Sequence, residues 1–123
     1  MSTAAQIREK ALRKLGVKAT GQTTQAEIAA DLDNAYTEVY AMLSSLGLTT
    51  WDSDEDIPDE FVAPVVSLVA FARVDEYSIP NDRFQRIDLD ANGNGSPGHL
   101  GAISAIKELQ ASNVYKTPTA DYF

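Results

Sequence analysis

Between residues 65 and 74 the apolar side chains run round the whole circumference of a helix. A helix that is apolar on every side must be covered on more than one side. In a chain of 123 residues, one of those sides is expected to be covered by another subunit, with Val65, Val69 and Phe71 at the contact. The run is far too short to span a bilayer, which takes about 20 apolar residues. Ile57-Pro58-Asp59-Glu60 reads as the start of this helix, with proline and acids in the first turn. Pro64 is expected to kink or restart it, because proline lacks the N–H that an interior position needs.

Periodicity supplies the remaining elements. Thr3-Ala4-Ala5-Gln6 has capping-box spacing, and Ile7, Ala11, Leu12 and Leu15 recur at helical intervals. Gly16 then acts as a C-terminal stop, with Val17 placed for the apolar contact common beyond such a glycine. Lys10, Arg13 and Lys14 lie opposite the apolar arc. After a turn containing Gly21, Thr24-Gln25-Ala26-Glu27 repeats the capping box. Ile28, Leu32, Ala35, Tyr36, Val39, Met42, Leu43 and Leu46 then form one stripe, flanked by Glu27, Asp31 and Glu38 and ended by Gly47. Such a helix would be about 35 Å long at ~1.5 Å per residue.

Residues 48–56 form a loop containing Trp51 and a run of acids. A break around Pro80 precedes a short helix over 82–89, and 92–98 is a loop rich in Asn and Gly. Ser96 and Pro97 suit the start of a last helix, which carries Leu100, Ile103, Ile106, Leu109 and Gln110 in line and ends near Ala111. From Ser112 onward there is no helical pattern. No strand and no repeat is convincing. The expected fold is all-α: a small bundle of four to five helices with a long second helix (1–111) and an extended C-terminal tail (112–123).

Charge is unevenly placed. The net charge is −8. Residues 1–20 hold Arg8, Lys10, Arg13, Lys14 and Lys18 against Glu9, whereas residues 21–60 hold ten acids and no base. A protein built to grip phosphates would show a net basic face; here a short basic end meets a long acidic middle. The acids can act simply as solubilising charge or as a wall that repels DNA. With 44% hydrophobic and 23% charged residues, the chain reads as one ordinary globular domain. It has no cysteine, which excludes disulfides and thiolate metal sites and fits a reducing cytoplasm. Residues 1–15 lack the apolar core of a signal peptide.

Asp88-Leu89-Asp90-Ala91-Asn92-Gly93 matches the first half of an EF-hand calcium loop, with oxygens from Asp88, Asp90 and Asn92 able to converge on a hard cation. The match fails at the twelfth position, where His99 replaces the bidentate Glu. A plain loop is the simpler reading, and a small calcium-responsive helical binding module is the alternative function. His99 is the only histidine. Ser96 and Ser104 lie near it, but no strained nucleophile turn or oxyanion motif accompanies them. The acids Asp52, Asp54, Glu55, Asp56, Asp59 and Glu60 read as a solvated loop. No phosphate loop, dinucleotide fingerprint or zinc spacing is present. The chain is not expected to be an enzyme and no cofactor is expected; a hydrolase would need an unrecognised carboxylate pair. Tyr115, Pro118, Tyr122 and Phe123 are spaced as aromatic anchors of a docking peptide, or fold back onto the chain's own helices.

Three features together carry a family resemblance. They are Ala11-Leu12-Arg13-Lys14-Leu15-Gly16-Val17, the long helix from Thr24-Gln25-Ala26-Glu27 through Leu46-Gly47-Leu48, and the ending Tyr115-Lys116-Thr117-Pro118-Thr119-Ala120-Asp121-Tyr122-Phe123. In this order and spacing they resemble the head-to-tail adaptor (connector) proteins of tailed bacteriophages, including the packaged-DNA-stabilisation or head completion proteins of short-tailed phages. The resemblance implies a structural virion protein at the head–tail neck, made in the host bacterial cytoplasm. It would form a ring under the portal protein, commonly of twelve copies, extend the DNA channel and present a platform for tail or nozzle proteins. Double-stranded DNA would pass through without sequence-specific binding, eased by weak repulsion from acids in the channel, and no membrane would be involved. The tail would reach the portal through Tyr115, Pro118, Thr119, Asp121, Tyr122 and Phe123. The segment 88–98 is not part of the family pattern.

Overall fold

The computed structural model describes residues 1–16, 26–77, 79–96 and 100–116, with side chains as far as Ala111. Helix α1 (Ala4–Leu15) begins as its sequence dictates: Thr3 Oγ1 accepts from the Gln6 N–H while Gln6 Oε1 accepts from the Thr3 N–H. Both otherwise orphaned donors are satisfied reciprocally. Gly16, at φ 78°, closes the helix and donates back to the Arg13 and Leu12 carbonyls. Val17 and the expected second capping box at Thr24 lie outside the described residues.

Helix α2 (Ala26–Ser45) buries Leu32, Ala35, Tyr36, Val39 and Leu43. Its end is a Schellman closure: Gly47 sits at φ 72° and donates to Ser44 O, and Leu48 donates to Leu43 O. The burial stripe is shorter than the sequence suggests. Met42 and Leu46 share the arc of Ala35 but are 38% and 51% exposed.

Helix α3 (Asp59–Ala72) is the axis of the molecule, and α1, α2, α4 (Asn81–Asn92) and α5 (Ala102–Lys116) all pack on it. Its residues 65–70 are buried without interruption. Ser67 fits this sheath because its hydroxyl donates to Ala63 O one turn back. Residues 65–70 are therefore covered within one chain, so Val65 and Val69 present no exposed surface to the subunit expected there, whereas Phe71 is half-buried and Ala72 exposed. A run of apolar residues shows that a helix needs cover, not who supplies it. Pro64 neither breaks nor restarts the helix, which runs through it.

A short 3-10 turn (Val74–Glu76) leads away from α3. Helix α4 reaches Asn92, past the expected 82–89, and closes on Gly93. The chain then returns through Gly101, whose φ is 95° and which sits against the backbone of Ala91 and Asn92. Helix α5 continues to Lys116, five residues beyond Ala111. The tail drawn from Ser112 thus begins no earlier than Thr117. Among the described residues there are five α-helices and no strand; Ser2 and Ile57 form an isolated antiparallel bridge with both hydrogen bonds made.

Candidate interaction surfaces

The aromatic side chains of the α2–α3 corner hold the acidic loop in place. Trp51 is 5% exposed. Its indole N–H donates to the Tyr36 hydroxyl at 3.0 Å, and the Tyr40 hydroxyl donates to the Trp51 carbonyl at 2.8 Å. Phe61 lies 5.3 Å from the Trp51 ring, centre to centre, within the range of favourable aromatic pairs. Ile57, fully buried, pins the other end of the loop through its bridge to Ser2. Between these anchors Asp52, Asp54, Glu55 and Asp56 are exposed, as are Asp59 and Glu60 just beyond. The Asp52 N–H donates to the Glu55 carboxylate, a local turn contact. Among the described residues no group of three acids or histidines is placed to hold a metal ion.

The first five residues of the candidate calcium segment, 88–92, are helix, and only 93–96 are non-helical as the loop reading expects. Asp88, Asp90 and Asn92 all belong to α4, and residues two apart on a helix point about 200° away from each other. Asp88 accepts from the Asn92 amide at 2.7 Å, while Asp90 accepts from Lys14 Nζ at 2.6 Å. Asp88 and Asn92 share a face and bond to each other, while Asp90 turns away to Lys14, so the three do not converge on one point. His99 lies outside the described residues.

The expected subunit contacts fare differently from one another. Val65 and Val69 are fully enclosed by their own chain and Phe71 is half-buried, so the two valines offer a neighbour no surface. Of the docking residues, Tyr115 belongs to the last turns of α5, its side chain outside the described set; Pro118, Thr119, Asp121, Tyr122 and Phe123 lie outside it altogether. The helix leading to them is tied down, since Gln110 Nε2 donates to the Leu48 carbonyl at 2.6 Å.

Two features escaped the sequence. The first is a clamp where α3 ends beside α2. Arg73 Nε donates to Asp31 at 2.9 Å, its terminal nitrogens reach Glu38, and the Tyr77 hydroxyl donates to the other Asp31 oxygen at 3.0 Å. Hydrogen bonds from Arg73 hold the Glu38 carboxyl below its ordinary value and push the guanidinium further up. Burial, then the bond to Asp31, pushes the Tyr77 phenol from 10.0 up to about 12. A raised phenol favours the neutral form in the fold, so its contribution is complete below pH 10 and is lost as pH rises to about 12. Glu38 has the opposite sign: its share is lost as pH falls below the carboxylate range. Arg73→Ala is expected to cost about 1–2 kcal/mol, most of it from Asp31 because Glu38 is largely exposed. Thermal melts should show it, and the variant should keep the stability loss above pH 10 undiminished, because the Arg73 charge opposes the rise of the Tyr77 phenol.

The second is a basic seam between α1 and α4. Arg83 Nη1 donates to the Lys14 and Arg13 carbonyls at 3.1 and 3.4 Å, covering the C-terminal end of α1, where cations are favoured. Lys10 and Arg13 line one shallow depression, Lys10 and Lys14 a second, and Lys14, Arg83 and Arg86 a third. The shared residues make these one continuous strip, in which Glu9, Asp82, Asp90 and Glu108 accompany the five bases. The second depression is an open groove of about 680 Å³ with Val62, Pro64, Val66 and Leu89 beneath. The signal available in the sequence was the Lys10, Arg13, Lys14 arc; its partners on α4 lie some 70 residues away. Comparison with protein families, with curated proteins and with solved structures finds no match to this chain.

Proposed function

We propose that this chain is a structural adaptor of a tailed-phage neck, forming a ring beneath the portal and joining head to tail. The observation that carries the reading is the order of three sequence features. These are the helix closing on Leu15-Gly16, the long helix closing on Leu46-Gly47-Leu48, and the aromatic, proline-containing segment 115–123. They sit on an all-α bundle whose last helix leads directly into that segment, which is compatible with a body that stays folded while its end docks elsewhere. The calcium-responsive alternative loses its support, because its ligand set belongs to α4 and is already paired.

Residues 117–123 can reach about 23 Å when extended, at ~3.3 Å per residue. Ordering their backbone costs about 1–2 kcal/mol per residue, and burying Tyr122 and Phe123 returns about 1.5–3 kcal/mol each. One tail therefore binds weakly unless backbone hydrogen bonds add to it. In a ring, each docked copy raises the effective concentration of the next. Deleting residues 117–123 is expected to leave the melting temperature almost unchanged and to abolish stable co-sedimentation with the portal ring. A deletion that lowers the melting temperature by many degrees while portal binding survives would place the tail in the chain's own core and end the docking role.

A further inference from the structure

Two Asn-Gly steps follow one another where α4 ends, Asn92-Gly93 and Asn94-Gly95. Asparagine followed by glycine is the sequence pair most open to losing its side-chain amide, because glycine has no Cβ to shield its backbone nitrogen. That nitrogen gives its proton to solvent and bonds to the asparagine Cγ. The Cγ–Nδ2 bond breaks, the amide leaves as ammonia, and water opens the resulting succinimide to aspartate or isoaspartate. The step needs a glycine N–H free to lose its proton, a non-helical backbone that brings the nitrogen over Cγ, and a side chain turned forward along the chain. The fold treats the two steps oppositely. Asn92 is the last residue of α4, so its backbone is helical. The Gly93 N–H donates to the Leu89 carbonyl at 2.8 Å. The Asn92 side chain is turned one helical turn back, where its amide donates to the Asp88 carboxylate at 2.7 Å; that negative charge opposes the oxyanion formed in the attack. Asn94 lies past the helix and is exposed together with Gly95 and Ser96. The Gly95 N–H has no hydrogen-bond partner among the described residues, and nothing beyond its chain neighbours lies within 4 Å of where its Cβ would sit. Asn94 Oδ1 accepts from the Ser96 N–H at 3.0 Å. This bond turns the side chain forward over Gly95 and sets a donor on the oxygen that becomes negative in the attack.

We propose that Asn94 is a site of spontaneous deamidation in the folded chain and that α4 protects Asn92 from the same reaction. The product carries one more negative charge on a chain already at −8, and in its isoaspartate form one more backbone carbon in the link between α4 and α5. To react, Asn92 and Gly93 must give up two hydrogen bonds, one of them to a charged carboxylate. Together these are worth at least about tenfold in rate. The proposal rests on local geometry and is independent of the adaptor reading.

The test is ageing of the full-length folded chain at mildly alkaline pH, where the glycine nitrogen loses its proton more readily, beside a sample held unfolded in guanidinium. Cleavage after Arg86 and Lys107 releases one peptide that contains both steps, and its fragment masses assign each amide-to-acid exchange to Asn92 or Asn94. Unfolded, the two steps share the same local chemistry and are expected to convert at similar rates. Folded, Asn94 is expected to convert at least about tenfold faster than Asn92. Asn94→Gln, at an exposed position, should abolish the early acidic form, because glutamine would have to close a larger ring; circular dichroism checks that the variant folds. Asn92 converting as fast as Asn94 in the folded chain would overturn the proposal. So would an Asn94 that stays intact in the folded chain while the unfolded one converts, the same selectivity in the unfolded chain, or an early acidic form that persists in Asn94→Gln.

Discussion

Val69→Asp is expected to leave the chain unfolded at 25 °C. Val69 is fully buried in the last turn of α3, on the helix that all four others pack against. The substitution removes an apolar side chain whose burial is worth about 1.5–3 kcal/mol and inserts a carboxylate. That group meets no cation, because Arg73 is engaged with Asp31 and Glu38. Its effective desolvation penalty is several kcal/mol, and a domain of this size has about 5–15 kcal/mol in all. Far-UV circular dichroism and the emission of Trp51, the only tryptophan, would both report the loss. A Val69→Asp protein that melts like the wild type would return Val69 to the surface and revive α3 as a face shared between subunits.

Gly101→Ala is the second large effect, and its cause is backbone geometry. At φ 95° a side chain is strained whatever the space around it, at about 1–3 kcal/mol. Here the space is also taken: a Cβ would lie 2.8 Å from the Asn92 carbonyl carbon and 3.0 Å from Ala91 O. Those are main-chain atoms at the end of α4, so the overlap is relieved only by moving that helix away from α5. Overpacking of this kind adds about 1–3 kcal/mol, giving an expected loss of about 2–6 kcal/mol. Gly47→Ala is the control. Gly47 has a similar sign of φ, 72°, with nothing within 4 Å of the added carbon, so only about 1–2 kcal/mol of left-handed strain is expected. Denaturant unfolding of the two variants measures the difference, and equal losses would show that the α4–α5 approach is looser than described.

Local chemistry was legible in the sequence wherever it is self-contained. The Thr3–Gln6 box, the Gly16 and Gly47 stops and the stripe from Leu32 to Leu43 need only neighbours within a few residues. What could not be read was the identity of each partner. The circumference of α3 announced the need for cover, yet the cover is α1, α2, α4 and α5 of the same chain. The Asp88, Asp90, Asn92 spacing suits both a cation loop and a helix, and the helix wins where Asn92 can cap Asp88 one turn back and Lys14 can reach Asp90. The Arg73 clamp leaves no local trace and the α1–α4 seam shows only its α1 half, the Lys10, Arg13, Lys14 arc, since each joins residues more than 30 positions apart.

The adaptor reading is tested most directly by native mass measurement of the purified chain mixed with the portal ring that the proposal gives it as a partner. The account predicts a discrete complex in which the number of bound chains matches the number of portal subunits, disassembling when residues 117–123 are removed. A folded chain that leaves the portal mass unchanged over the same concentrations would contradict it.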